Sequence, residues 1–133
     1  MSGLTDSQAV LLLTQYFGTN FTGAKVVYQD EPISTDWTGP YVRMSVLLGD
    51  PQPNLDSTWE RVTGIAWFQT FTVQGVGDVA AWSLADAVAN VMKYQTIGII
   101  RLTSAGKQNL GAGKTTWNRI DVRVPFFFER VTS

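Results

Sequence analysis

The chain has no cysteine and no histidine. The first absence excludes disulfides and thiolate metal sites. The second removes the usual general base near neutral pH and the commonest transition-metal ligand, leaving carboxylates, lysine or tyrosine to carry any catalysis. Charge is also sparse: Lys and Arg are dispersed along a chain of net charge -1, with no basic stripe of the kind a dedicated nucleic-acid binder needs. Long apolar runs are missing too. The longest near the N-terminus, AVLLL at 9–13, is far too short to span a bilayer, and no charged leader with a small-residue cleavage site precedes it. The expectation is a soluble protein made in a reducing cytoplasm. Repeats, low-complexity tracts and linker-like segments are absent, so 1–133 reads as a single domain, large enough to bury about two-thirds of its unfolded surface without staples.

Two glycine motifs suggest nucleotide chemistry, and both fail on context. GAGKTT at 111–116 ends like a phosphate-binding loop, but the first glycine of that pattern would fall at 108, which is Gln108, and Gly106 comes too early. The following residues alternate with a strand period, Asn118, Ile120, Val122, Val124 and Phe126 against Trp117, Arg119, Asp121, Arg123 and Pro125. No helix is therefore available to present its N-terminal amides to phosphate. Gly75, Gly77 and Ala80 fit a dinucleotide fingerprint between a strand and a helix. That fold requires an acidic residue at the end of the next strand, where Ile100, Arg101 and Leu102 stand instead. The glycines are better read as a sharp turn from strand to helix.

Thr5 and Gln8 form a capping-box pair, predicting a helix over about 6–17 with Ala9, Leu12, Leu13, Tyr16 and Phe17 inward and Gly18 as its stop. KVVYQD at 25–30 and YVRMSVLL at 41–48 read as strands, the second with Val42, Met44, Val46 and Leu48 on one face. The Pro- and Gly-containing segment 49–62 reads as a long loop. TGIAWFQTFTV at 63–73 carries bulk on both faces, as a central strand does. A second helix is predicted over about 79–93, capped by Asp78, with Ala81, Leu84, Ala85, Val88, Val91 and Met92 as its apolar stripe. IGIIRLTS at 97–104, a glycine-rich loop over 105–116 and a closing strand from Trp117 complete the chain. The resulting fold class is α+β, a mixed, mainly antiparallel sheet of about four to six strands with two α-helices packed on one face.

The carboxylates specify no site. Asp30, Glu31 and Asp36 gather near one turn and Asp50, Asp56 and Glu60 lie along the long loop, where solvated turn residues account for them, a weak cation site at 30–36 being the alternative. Trp67 and Trp82 are expected in the core, while Trp37, Trp59 and Trp117 sit at loop edges as candidate anchors of a partner surface. Pro125 suits an edge or a bulge. Beside it, Phe127 falls on the opposite side from Phe126 and Phe128, which makes it a candidate for cover by a helix or a neighbouring subunit.

The order of these elements resembles the tail terminator proteins of long-tailed bacteriophages. The likeness is carried by the N-terminal helix, the Pro-rich stretch after a strand, WFQTFTVQGVGD running into VAAWSLADAVANVM, and the closing GAGKTTWNRIDVRVPFFFER. It implies a small α+β subunit that forms a homo-oligomeric ring, expected to be a hexamer, on the head-proximal end of the tail tube. There it would stop tube polymerisation and present a joining surface to the head–tail connector protein. The implied partners are a second copy of the chain, the tail tube protein and the connector, with DNA only in transient passage. No catalytic residue, cofactor or metal is implied. Within this reading Lys107 and Lys114, in the loop 105–116, are candidates to face the channel or the tube. A head completion or stopper ring of the same neck region is the neighbouring alternative, and a monomeric ligand-binding domain a more distant one.

Overall fold

The computed structural model describes residues 4–29, 31–32, 37, 39–53, 58–73, 78–111 and 117–131. Helix α1 spans Asp6–Asn20. Its capping box forms as expected: the Gln8 amide N–H donates to Thr5 Oγ1 at 3.2 Å and the Thr5 N–H to Gln8 Oε1 at 2.9 Å. Gly18 does not stop the helix, which continues to Asn20 with Phe21 as C-cap. The glycine serves packing instead, because a Cβ there would stand 2.8 Å from the Tyr28 hydroxyl. Phe17 and Phe21 stack at 4.8 Å between ring centroids, and Phe17 meets Phe68 of the sheet at 4.6 Å. This aromatic column fixes the helix against the strands.

Eight strands follow among the described residues: β1 Lys25–Tyr28, β2 Tyr41–Leu48, β3 Gln52–Pro53, β4 Trp59–Val73, β5 Thr96–Ile97, β6 Ile100–Leu102, β7 Gly106–Gly111 and β8 Trp117–Val131, with helix α2, Asp78–Met92, between β4 and β5. The sheet runs β1-β2-β4-β8-β6-β5, with β3 added to β4 and β7 to β8. Only β1 and β2 pair in parallel, so the sheet is mixed and mainly antiparallel. Both helices pack on one face, and the fold is α+β as expected. The six-strand path lies within the expected number; β3 and β7 exceed it.

Strand alternation decides what is buried. Val42, Met44, Ala66, Phe68, Ile120, Val122, Val124, Phe126 and Phe128 point toward the helices and, with Leu13, Leu84, Val88 and Met92, form one core. Gly64 makes room in it, since a Cβ at that position would come within 2.6 Å of the Phe126 ring. The core stripe of α2 is as predicted, except that Val91 is only partly buried. Trp82 is not core. It is 38% exposed, because a rotation of about 100° per helical residue turns it away from the sheet-facing stripe formed by Ala81, Leu84, Ala85 and Val88.

Three loop and edge expectations are corrected. The long loop 49–62 is interrupted by β3, which pairs with Glu60 and Arg61, and β4 begins at Trp59. The predicted loop 105–116 is a strand over its first part, because β7 pairs along β8; Lys114 and the rest of 112–116 lie outside the described residues. Pro125 sits neither at a sheet edge nor at a bulge but between the tandem ladders that β7 and β6 make with β8. Its carbonyl accepts from Thr103 N–H at 2.8 Å. A strand residue aims N and C=O to the same side, so the missing N–H faces the connection between β6 and β7 and costs β4 no hydrogen bond.

Candidate functional site

The face of the sheet opposite the helices has no helix against it among the described residues, yet it is rich in aromatic and cationic side chains. The β2, β4 and β8 register brings Tyr41, Phe71 and Arg119 into one row, Arg43, Gln69 and Asp121 into the next, and Ser45, Trp67 and Arg123 into a third. Tyr41 stacks on Phe71 at 4.5 Å and meets the edge of Trp117 at 5.2 Å. Guanidinium groups cover two further rings, Arg123 over Trp67 at 5.0 Å and Arg61 over Phe127 at 4.7 Å. Trp67 is therefore half-buried on this outer face rather than in the core.

Three of the expected partner residues share this side of the sheet, with Trp59 and Trp117 at opposite ends of the β4–β8 ladder. Trp59 opens β4 at 46% exposure, Trp117 opens β8, and Phe127 lies half-buried under Arg61. No described helix covers Phe127. Trp37 stands near the β1 and β2 end of the same face, its indole N–H donating to the Pro40 carbonyl at 3.3 Å and its ring lying 4.9 Å from Lys25 Nζ. Lys107 does not join them. Its β7 position shares the side of Val122, and its ammonium pairs with Asp86 of α2 at 2.8 Å. It thus points to the helix layer rather than to the opposite sheet face. Asp30, Asp36 and Asp56 of the two acidic turns, and Gly75 and Gly77 of the strand-to-helix turn, lie outside the described residues.

A buried carboxylate organises the centre of the face, and no local sequence pattern marks it. Asp121 is fully buried, accepting from Trp67 Nε1 at 2.9 Å and from Arg119 Nε and Nη2 at 2.8 and 3.0 Å. The fork-to-fork geometry compensates its desolvation. It also pushes the Arg119 pKa up from its ordinary value, chiefly through the hydrogen bonds to Asp121 and against an opposing effect of burial. Alternation places Arg119 and Asp121 on one side of β8, but Trp67 lies 54 positions away and only the strand pairing reveals it. Burial likewise raises the Tyr41 pKa, and nearby Arg43 opposes the shift.

The dispersed cations of the sequence also converge. Lys25, Arg43, Arg61, Arg101, Arg119 and Arg123 all occupy outward register positions, against Asp121 and Glu129 among the strand carboxylates described there. The absence of a basic stripe in the linear sequence thus does not carry over to the folded surface. Arg130, by contrast, points to the helix side, where it bonds Glu60 at 2.6 Å and Asp6 at 2.7 Å and ties α1 to the sheet. On that side a cleft of about 460 Å³ opens between α2 and the end of β4, lined by Thr72, Val73, Ala80, Leu84 and other small or apolar residues. The buried Thr72 hydroxyl at its wall has no hydrogen-bond partner among the described residues.

No protein-family model and no curated protein matches the sequence. A solved structure shares the architecture, with a TM-score of 0.57 over 93% of this chain and 96% of that chain, at 15% identity. It belongs to a protein whose designation states no function, and at that identity the likeness shows the fold alone. No described helix is long and apolar enough to cross a membrane, and no group of three or more acidic residues among those described could hold a metal ion.

Proposed function

We propose that this chain is a tail terminator subunit, a structural virion protein that caps the head-proximal end of a phage tail tube, halts its polymerisation and offers a joining surface to the head connector. The observation that carries the reading is the uncovered sheet face. Among the described residues helices cover only one side of the sheet, while the other holds Trp59, Trp67, Trp117 and Phe127 among arginines. Tryptophan and arginine are among the residues that dominate protein–protein hot spots. A subunit wedged between like neighbours and two axial partners needs such a surface, and its role is binding, with no bond made or broken.

The element order resembling tail terminators, described above, supplies the identity of the partners, and the α+β fold is compatible with it. Purified protein mixed with preformed tail tubes of the same virion should appear by electron microscopy at one end only. Binding to isolated connector rings but not to tube ends would favour the stopper role instead; binding to neither would sink both.

The cleft beside α2 supports a second reading as a small-ligand domain, because its concave wall is mostly apolar with Ser83 among its lining residues. A thermal-shift screen with apolar alcohols and amides tests it; no stabilisation by any of them removes that reading.

A further inference from the structure

The two faces of the fold differ in charge, and the difference limits how two copies can meet. The sheet face that no described helix covers holds six cations against two described strand carboxylates, each paired with an arginine, Asp121 with Arg119 and Glu129 with Arg61. The helix side is close to neutral: α1 and α2 contain aspartates and no lysine or arginine, but Arg130 and Lys107 from the sheet pair with Asp6 and Asp86 and exposed Lys93 follows α2. Asp6 and Asp86 keep more than half of their side chains exposed despite their ion pairs. Around them the helices expose Leu11, Val79 and Trp82, at 53%, 81% and 38%.

We infer that the ring is built by a heterologous contact in which the sheet face of one copy seats on the helix layer of the next. This rests on the ring-subunit reading above and names its interface. A two-fold contact places the same patch on both partners. Sheet against sheet would then oppose cations to cations, which is unfavourable, whereas the helix side, with its aspartates paired, carries no such excess of one sign. Sheet against helix avoids that repulsion, brings sheet arginines to the exposed parts of Asp6 and Asp86 and sets the aromatic rows against Leu11, Val79 and Trp82. Size agrees: at about 4.8 Å between strands and about 3.4 Å per residue, the eight strands together span roughly 900 Å² of curled sheet. A stable interface needs about 800 Å² per partner. Because the two patches differ, each copy retains a free patch for the next, and the chain of contacts closes into a ring or runs on as a filament.

The test uses two blocked forms of the full chain. Arg61→Glu with Arg123→Glu spoils the sheet face, and Val79→Lys with Asp86→Lys spoils the helix layer; all four positions are exposed. Circular dichroism and thermal melting establish that each form is folded. Sedimentation should show wild type forming oligomers larger than dimers, each blocked form alone associating at least about 10-fold more weakly, and their equimolar mixture stopping at dimers, since only one good contact is then available. Should either double variant fail to fold, Arg101→Glu and Leu11→Lys, also at exposed positions, repeat the experiment. Wild type that stays monomeric to millimolar concentration, a helix-blocked form that still self-associates, or a mixture that does not pair would each overturn the inference. Tube capping by a chain that never self-associates would sink this interface and leave the capping role standing; self-association without tube binding would do the reverse.

Discussion

Replacing Asp121 with alanine tests whether the buried carboxylate is the centre of the uncovered face. The substitution removes three hydrogen bonds, one from Trp67 and two from Arg119, and leaves the guanidinium without its counter-charge. Breaking a fully buried ion pair costs about 3–5 kcal/mol. Arg119 retains 33% of its side-chain exposure, so water takes over part of the lost interaction and the expected cost falls to about 2–3 kcal/mol. Urea unfolding followed by tryptophan fluorescence measures it directly. The double variant Arg119→Met with Asp121→Leu should recover much of the loss, because an apolar pair of similar volume needs no compensation. A loss below about 0.5 kcal/mol for Asp121→Ala would refute the reasoning, as would a double variant no more stable than the single one.

Gly64→Ala should destabilise by about 1–3 kcal/mol through overpacking, because the added methyl would meet the Leu47 backbone carbonyl as well as the Phe126 ring, read as a lowered denaturation midpoint with an unchanged slope. Thr72→Val should instead stabilise by about 1 kcal/mol, since it replaces an unpartnered buried hydroxyl with a methyl of similar shape; a fall in melting temperature would contradict this. Tyr41 has a folded pKa raised by burial, so the unfolded chain loses that proton first. The stabilisation it contributes is complete below the ordinary tyrosine pKa of about 10 and declines as pH rises through the folded value. Tyr41→Phe should accordingly flatten the alkaline part of the stability profile relative to wild type, and identical slopes above pH about 10 would sink the assignment. Arg130→Met should free the start of α1 from Glu60 and Asp6, seen as faster amide exchange in the first turn of that helix than in α2; equal rates before and after would deny it that tethering role.

The elements legible in the sequence are those whose pattern is local. The capping box of α1, the apolar stripe of α2 and the alternation of β2, β4 and β8 each follow from residues within a few positions of one another. Strand β7 is invisible there because all six of its residues are exposed and its existence comes from backbone pairing with β8, which leaves no hydrophobic period. Gly18 looks like a helix stop, and only the fold brings the Tyr28 hydroxyl over it. Trp59, Trp117 and Phe127 are recognisable as residues at strand ends and alternation breaks. The surface they share is not, because it is assembled by register from strands far apart in the chain. The same holds for its cations, which no short window of sequence contains, and for Asp121, whose indole partner is supplied by the neighbouring strand. The orientation of Lys107 is hidden for a related reason: once β7 forms, alternation turns it toward Asp86.

The central claim is that this subunit ends tail-tube growth, and the most direct measurement is the length distribution of tubes polymerised from purified tube protein with and without it. Substoichiometric amounts, in the range of one ring per tube, should arrest elongation and yield capped tubes whose length stops increasing as more tube subunits are supplied. Tubes that keep growing at the same rate in its presence would contradict the account.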